Sequence, residues 1–196
     1  MKKLTILFAK RLDYESSSIL FSDFCKDCNT SKIAQSLSSL TNLSTFELQL
    51  VLNSFDQQKT LGICSVLENC KNLSTLKLQL NDNEITDDIL SQMCQSLSSC
   101  KHILHLELYL DCNSISEQSV TELGSALSKC FNLISLEFWL NDVTIFAFAR
   151  YLPNMINLRN LKLHLGHDSV SEDQQKQLSI FVLKLKKLVQ KQITIY

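Results

Sequence analysis

Leucines recur along this chain in a fixed polar frame. Residues 73–80 read Leu-Ser-Thr-Leu-Lys-Leu-Gln-Leu, and Leu76, Leu78 and Leu80 alternate with polar residues. Alternation with period two marks a strand that buries one face. From Thr86 the spacing becomes helical, with Ile89 or Leu90, Met93, Cys94, Leu97 and Cys100 on one side. Thr86, Asp87 and Asp88 supply N-cap chemistry and negative charge where that helix begins. The unit is strand, turn, helix, turn.

The unit repeats. Its lead at 72–80 has counterparts at 42–50, 102–110, 132–140 and 157–165, at steps of 30, 30, 30 and 25 residues. Strand, helix and strand again thirty residues later predict a parallel sheet with right-handed crossovers. A period of that size predicts a solenoid of stacked units. The fourth unit lacks five residues, so its helix, at about 145–152, should be short and end near Pro153. Two flanking copies are weaker. Leu188, Ile193 and Ile195 follow Leu158, Leu163 and Leu165 by thirty residues, with Lys191 where a leucine belongs. Near the start, Leu4 and Leu7 begin a divergent strand. Residues 1–29 read as a divergent N-terminal cap segment and 30–196 as the array, its first helix at about 30–39 carrying Ile33, Ala34 and Leu37. The lysine-rich stretch 184–191 fits a sheet edge blunted with charge.

The core Leu-x-Leu-x-x-Asn-x-Ile stands at 78–85 and 108–115, with Phe55 in the isoleucine place at 48–55. This pattern resembles the leucine-rich repeat family, in its long-repeat, ribonuclease-inhibitor-like class. A cysteine ahead of the Asn-Leu lead looks like the tandem arrays of ciliate proteins. The resemblance covers roughly residues 30–196. It implies an α/β horseshoe with a parallel concave β-sheet, convex helices and about six to seven strand–helix units. An extra Leu-x ahead of the usual strand core implies a longer strand. Val143 and Asp168 depart from the asparagine column.

If the leucines point inward, the residues between them line the opposite face. One outward column runs Glu47, Lys77, Glu107, Glu137, Lys162, and the next runs Gln49, Gln79, Tyr109, Trp139, His164. A third contains Asp111. Trp139 is the only tryptophan of the chain, at a position no leucine takes. Strands about 4.8 Å apart make Tyr109, Trp139 and His164 one stripe. Glu107, Glu137 and Asp111 give it an acidic surround, with Lys162 as counter-charge. Aromatics clustered with charge are what interface anchors look like, so these seven residues are the candidate partner-binding site. The competing reading is cross-strand packing that only stabilises the sheet. Asn53, Asn83 and Asn113 are structural, because their amides can satisfy backbone groups in the turn leaving the strand.

Composition narrows the function. Apolar residues at 45% and charged ones at 20% describe a globular chain, and three glycines with one proline argue against an all-β fold. A net charge of −1 gives no general attraction to nucleic acid or anionic membrane. The apolar run from Leu4 to Ala9 is shorter than a secretory signal and is interrupted by Lys10-Arg11. No run approaches the roughly 20 apolar residues of a membrane span. A soluble protein of the reducing cytoplasm is the expectation. Of the eight cysteines, Cys64 and Cys94 are one period apart, as are Cys70, Cys100 and Cys130. They read as free thiols in a small apolar core column, since helices about 8–10 Å apart are too far separated for a disulfide. Cys25-Lys-Asp-Cys28 is half of a zinc spacing with no matching second pair.

Catalytic signatures are missing: the chain has no glycine-rich phosphate loop, no Gly-x-Ser-x-Gly and no His-Glu-x-x-His. His164 with His167 is a weak metal pair. His105 with Cys100 or Cys112 is a nucleophilic dyad only on paper. The expectation is no enzyme, no cofactor and no metal, but a protein-interaction module that binds a protein or peptide on its concave face. The alternative is a structural subunit or array fragment held in a larger assembly by its edges or convex face.

Overall fold

A computed structural model of the chain describes residues 3–9, 41, 43–51, 57–140, 145–165 and 172–195. The elements run β1 (Lys3–Ala9), β2 (Thr45–Val51), α1 (Gln57–Asn69), β3 (Thr75–Gln79), α2 (Asp87–Ser98) and β4 (His105–Tyr109). After these come α3 (Glu117–Ser128), β5 (Ser135–Trp139), α4 (Ile145–Ala149), β6 (Asn160–Leu165), α5 (Glu172–Leu183) and β7 (Gln190–Ile195). The seven strands form one parallel sheet in sequence order. The arrangement is α/β, a parallel sheet whose strands alternate with helices, unit after unit. That order is compatible with a solenoid. Among the described residues no helix is long and apolar enough to cross a membrane.

The leucine columns are the core. Phe46, Leu76, Leu106, Leu136 and Leu161 are buried side by side, as are Leu48, Leu78, Leu108, Phe138 and Leu163. Leu76 and Leu78 lie within β3, and Leu80 packs one residue beyond it. Leu90, Met93, Cys94 and Leu97 of α2 close over them from the helical side. Burial of these side chains contributes roughly 1.5–3 kcal/mol each, so the helix-facing side of the sheet dominates stability.

Each strand from β3 to β7 opens with the same contact. The Ser44 carbonyl accepts from both Ser74 N and Thr75 N, and Ser74 O accepts from Leu104 N and His105 N. Leu104 O and Ile134 O continue the series, the latter to Arg159 N and Asn160 N. The step from 134 to 159 spans the shortened unit, yet β5 and β6 remain in register, with Leu136 opposite Leu161 and Trp139 opposite His164. The five missing residues therefore come wholly from the helical side. There α4 has only five residues and a 3₁₀ turn at Leu152–Asn154 takes in Pro153.

The shortened helix brings Tyr151 onto α3. Gly124 stands in the column of Cys64 and Cys94, and a Cβ added there would lie 2.6 Å from Tyr151 Cδ2.

Strand ends are tied by asparagine. Asn113 Nδ2 donates to Leu80 O and Leu110 O, both at 2.9 Å, and its Oδ1 accepts from Asn83 N at 3.1 Å and Ile85 N at 2.9 Å. Asn83 Nδ2 in turn donates to Leu50 O and to Asn81 O. The turns admit this by bending through the left-handed region, with φ of 57° at Asp82, 56° at Glu84 and 55° at Cys112. The structural reading of Asn83 and Asn113 holds; Asn53 lies outside the described residues.

The cysteine column is buried but does more than fill space. Cys100 Sγ donates to Leu67 O at 3.5 Å and Cys130 Sγ to Leu97 O at 3.4 Å. Both carbonyls lie near helix C-termini, where intrahelical partners run out. The described cysteines are free thiols. Burial pushes the Cys100 thiol up to about 12 and Cys130 up to about 11.

Two expectations change. At the N-terminal edge, Leu4, Ile6 and Phe8 stand in register with Phe46, Leu48 and Leu50, so Leu7 takes an outward register position opposite Gln49. The side chain of Thr86, the N-cap of α2, makes no capping bond. Asp87 Oδ1 instead accepts from Ser116 N of the next unit at 2.8 Å, so the acidic helix start ties neighbouring units together. That amide, followed by the Ser119 hydroxyl, holds the Asp87 carboxyl below its ordinary value. The 30–39 helix, the Cys25/Cys28 pair and His167 lie outside the described residues.

Candidate functional site

On the outward face, Tyr109, Trp139 and His164 stand in direct register on the adjacent strands β4, β5 and β6. The rings form one stacked row. Tyr109 and Trp139 centroids are 5.4 Å apart with planes at 30°, and Trp139 and His164 are 4.2 Å apart at 22°. Offset stacking of this kind adds about 0.5–1.5 kcal/mol per pair beyond area burial. Both faces of the indole are used inside the row, so the row presents ring edges outward as a ridge.

Glu137 sits beneath the ridge and gathers its neighbours. Its Oε1 accepts from the Tyr109 hydroxyl at 2.8 Å, and its Oε2 meets Lys162 Nζ at 3.0 Å. His164 Nε2 lies 3.6 Å from Oε1, beyond ordinary hydrogen-bond length. Burial alone would raise the Glu137 carboxyl. The Tyr109 hydroxyl and the Lys162 ammonium outweigh burial and hold it below the ordinary carboxylate range.

His164 is 7% exposed, more enclosed than an outward position predicts. Burial pushes its imidazolium down, Glu137 resists and Lys162 adds to the depression, with a net lowering. The ring is neutral at pH 7, so its approach to Glu137 is a polar contact and not an ion pair. In the same register row as Glu137, Lys77 Nζ pairs with Glu107 Oε2 at 2.5 Å between β3 and β4. Both ends are a third or more exposed, so the pair is worth at most about 1 kcal/mol. The charges thus fall into two pairs, Lys77 with Glu107 and Lys162 with Glu137, with the two carboxylates on adjacent strands.

Asp111 follows the ridge at the C-terminal end of β4 and is half-buried. Its Oδ1 has no hydrogen-bond partner among the described residues. Burial raises its carboxyl, assisted by the nearby charge of Asp82 and opposed by its own backbone amide.

All seven residues predicted to form the site are therefore brought to one face. Tyr109, Trp139, His164, Glu137 and Lys162 form a connected unit. Glu107 is paired elsewhere with Lys77, and Asp111 stands at the rim. What alternation along the strands does not signal is the Glu137 hub, because partner choice depends on rotamers across three strands.

His105, exposed, and Cys100, buried with its thiol on the Leu67 and Ser96 carbonyls, do not make a nucleophilic pair. Among the described residues no group of three or more His, Cys, Asp or Glu is placed to hold a metal ion. Comparison of the sequence with protein-family models and with curated proteins finds no match.

Proposed function

We propose that this chain is a leucine-rich-repeat array, a non-catalytic docking module that binds a protein or peptide on the sheet face opposite its helices. The observation that carries this reading is the Tyr109–Trp139–His164 row, an aromatic ridge on an outward face and flanked by paired charges. Large aromatics beside a polar surround are the usual anchors of interfaces. Leucine columns, an asparagine ladder and unit-by-unit parallel strands support the family assignment. In that reading the ridge lies on the concave side of the horseshoe.

The test is affinity capture of partners by the intact chain and by two variants. Tyr109→Ala with Trp139→Ala removes the ridge. Glu107→Lys leaves the stack in place and reverses a neighbouring charge. Circular dichroism reports whether each variant folds. Folded variants should recover less partner, and undiminished recovery by both would sink the site.

A structural subunit in a larger assembly is the second reading. Leu183 and Val189 favour it, being 80% and 82% exposed on the last described unit. Apolar surface of that kind seeks a cover. Association through it should be insensitive to salt.

A further inference from the structure

Parallel topology sorts the charges of this chain onto opposite rims. Every strand runs the same way, so strand-to-helix turns share one rim of the sheet and helix-to-strand turns share the other. On the first rim, residues 80–88 and 110–118 carry Asp82, Glu84, Asp87, Asp88, Asp111 and Glu117, and no lysine or arginine. On the second, the turns at 70–74, 100–104, 129–134, 155–159 and 184–189 carry Lys71, Lys101, Lys129, Arg159, Lys184, Lys186 and Lys187, and no aspartate or glutamate. These seven cations are exposed. Among these described turns, a chain of net charge −1 thus separates its charges by sign.

Two contacts soften the division without removing it. Glu68, in the last turn of α1, accepts from Ser96 Oγ at 3.0 Å. Arg150, carried past the short α4, meets Glu117 at 3.6 Å.

Helix macrodipoles explain part of this pattern, since acids suit helix starts and cations suit helix ends. That accounts for Asp87, Asp88 and Glu117. It does not account for Asp82, Glu84 and Asp111, which precede the helices by several residues. Nor does it account for Phe131 and Ile156, which take the place of Lys71 and Lys101 in the next two units and are 59% and 60% exposed. The basic rim therefore has an apolar centre between lysines on both sides.

Each rim carries a charge that recurs at the repeat spacing, Asp87 and Glu117 on one and Lys71 and Lys101 on the other. A rim of one copy is for that reason commensurate with the opposite rim of another. We propose that a second copy of this chain is the occupant of the basic rim: Lys71, Lys101, Lys186 and Lys187, with Phe131 and Ile156 between them, dock on the acidic rim of the next copy. The contact is heterologous, leaving one free rim at each end, so copies add head to tail. The ridge of Tyr109, Trp139 and His164 is on neither rim, and Asp111 is the one residue of the candidate site that the acidic rim shares.

Sedimentation velocity of the full chain over a range of concentrations tests it. At low salt the average mass should climb with concentration. At about 0.5 M salt, where charges are screened beyond roughly 4–5 Å, it should fall toward the monomer. Lys71→Glu with Lys101→Glu reverses two charges of the basic rim and weakens its field, and Glu84→Lys with Asp88→Lys does the same to the acidic rim. Each variant alone should self-associate at least about tenfold more weakly, and an equimolar mixture should recover association. A monomer at every concentration in low salt overturns the proposal. Association that ignores salt, or that persists unchanged in both variants, also overturns it. Capture of polyglutamate by a chain that stays monomeric would overturn the second copy as occupant and assign the rim to a foreign acidic partner.

Discussion

The Tyr109 hydroxyl donates to Glu137 Oε1 at 2.8 Å from one neighbouring strand, while Lys162 Nζ reaches Glu137 Oε2 at 3.0 Å from the other. One carboxylate thereby couples three strands under the aromatic ridge. Tyr109→Phe keeps the stack and deletes the bond. The expected loss of stability is about 0.5–1.5 kcal/mol, and the Glu137 carboxyl should titrate higher than in the parent. Glu137 lies below its ordinary value in the fold. Its contribution is therefore complete above that ordinary value and is lost as pH falls through the folded one. Carboxyl NMR titration reads both effects, and an unmoved Glu137 in the variant would show that the hydroxyl does not hold it.

His164 gives a second pH dependence in a different window. Its folded value is depressed below the ordinary 6.5. The unfolded chain therefore takes up the proton first as pH falls. Stability from this residue is complete above about 6.5 and declines as pH drops toward the folded value. Urea midpoints of the parent should fall between pH 7 and pH 5, and His164→Gln should flatten that part of the curve. An equal slope in the variant would assign the dependence to other groups.

The sequence displays its columns because period two is imposed by the strand itself, whatever the neighbours do. Hence Leu76, Leu78, Tyr109 and Trp139 are found on the faces that alternation assigns. The deletion in unit four is equally legible, since a strand lead arriving after 25 residues leaves the helix as the only place to shorten. The three-strand hub on Glu137 is not legible, because it depends on which side-chain rotamers meet across the sheet. His164 shows the same limit: alternation puts it outward, yet the adjoining Trp139 ring helps to enclose it. The register of β1 was open to error for another reason. Leu4, Ile6, Leu7 and Phe8 are all apolar, so alternation there cannot select a face, and strand pairing decides it.

Asn113 should be among the most sensitive polar positions of the array. Its side chain accepts from two amides of the preceding unit and donates to the Leu80 and Leu110 carbonyls. Asn113→Ala strands those groups at a turn that cannot relax freely. A cost of about 2–4 kcal/mol follows from stranding more than one partner. Asn132 is the control, because its exposed amide donates to Lys101 O at 2.7 Å, and Asn132→Ala should cost under about 1 kcal/mol. Denaturant unfolding of both compares them directly, and equal losses would remove the ladder from its central place.

Gly124→Ala sets helix propensity against packing. Alanine gains about 1 kcal/mol over glycine inside a helix. Here the new Cβ would meet Tyr151 at 2.6 Å from Cδ2, 3.0 Å from Cγ and 3.3 Å from Cβ. The ring lies against α3 near its root, so it cannot yield by moving a flexible tip. Overpacking of this kind costs about 1–3 kcal/mol, which cancels or exceeds the propensity gain. A lowered thermal midpoint is expected for Gly124→Ala in the parent chain. In a Tyr151→Ala background the clash is gone and only propensity remains, so there the same substitution should raise the midpoint. A change of sign between the two backgrounds identifies the Tyr151 contact as the reason glycine stands where Cys64 and Cys94 stand in earlier units, and the same sign in both would refute it.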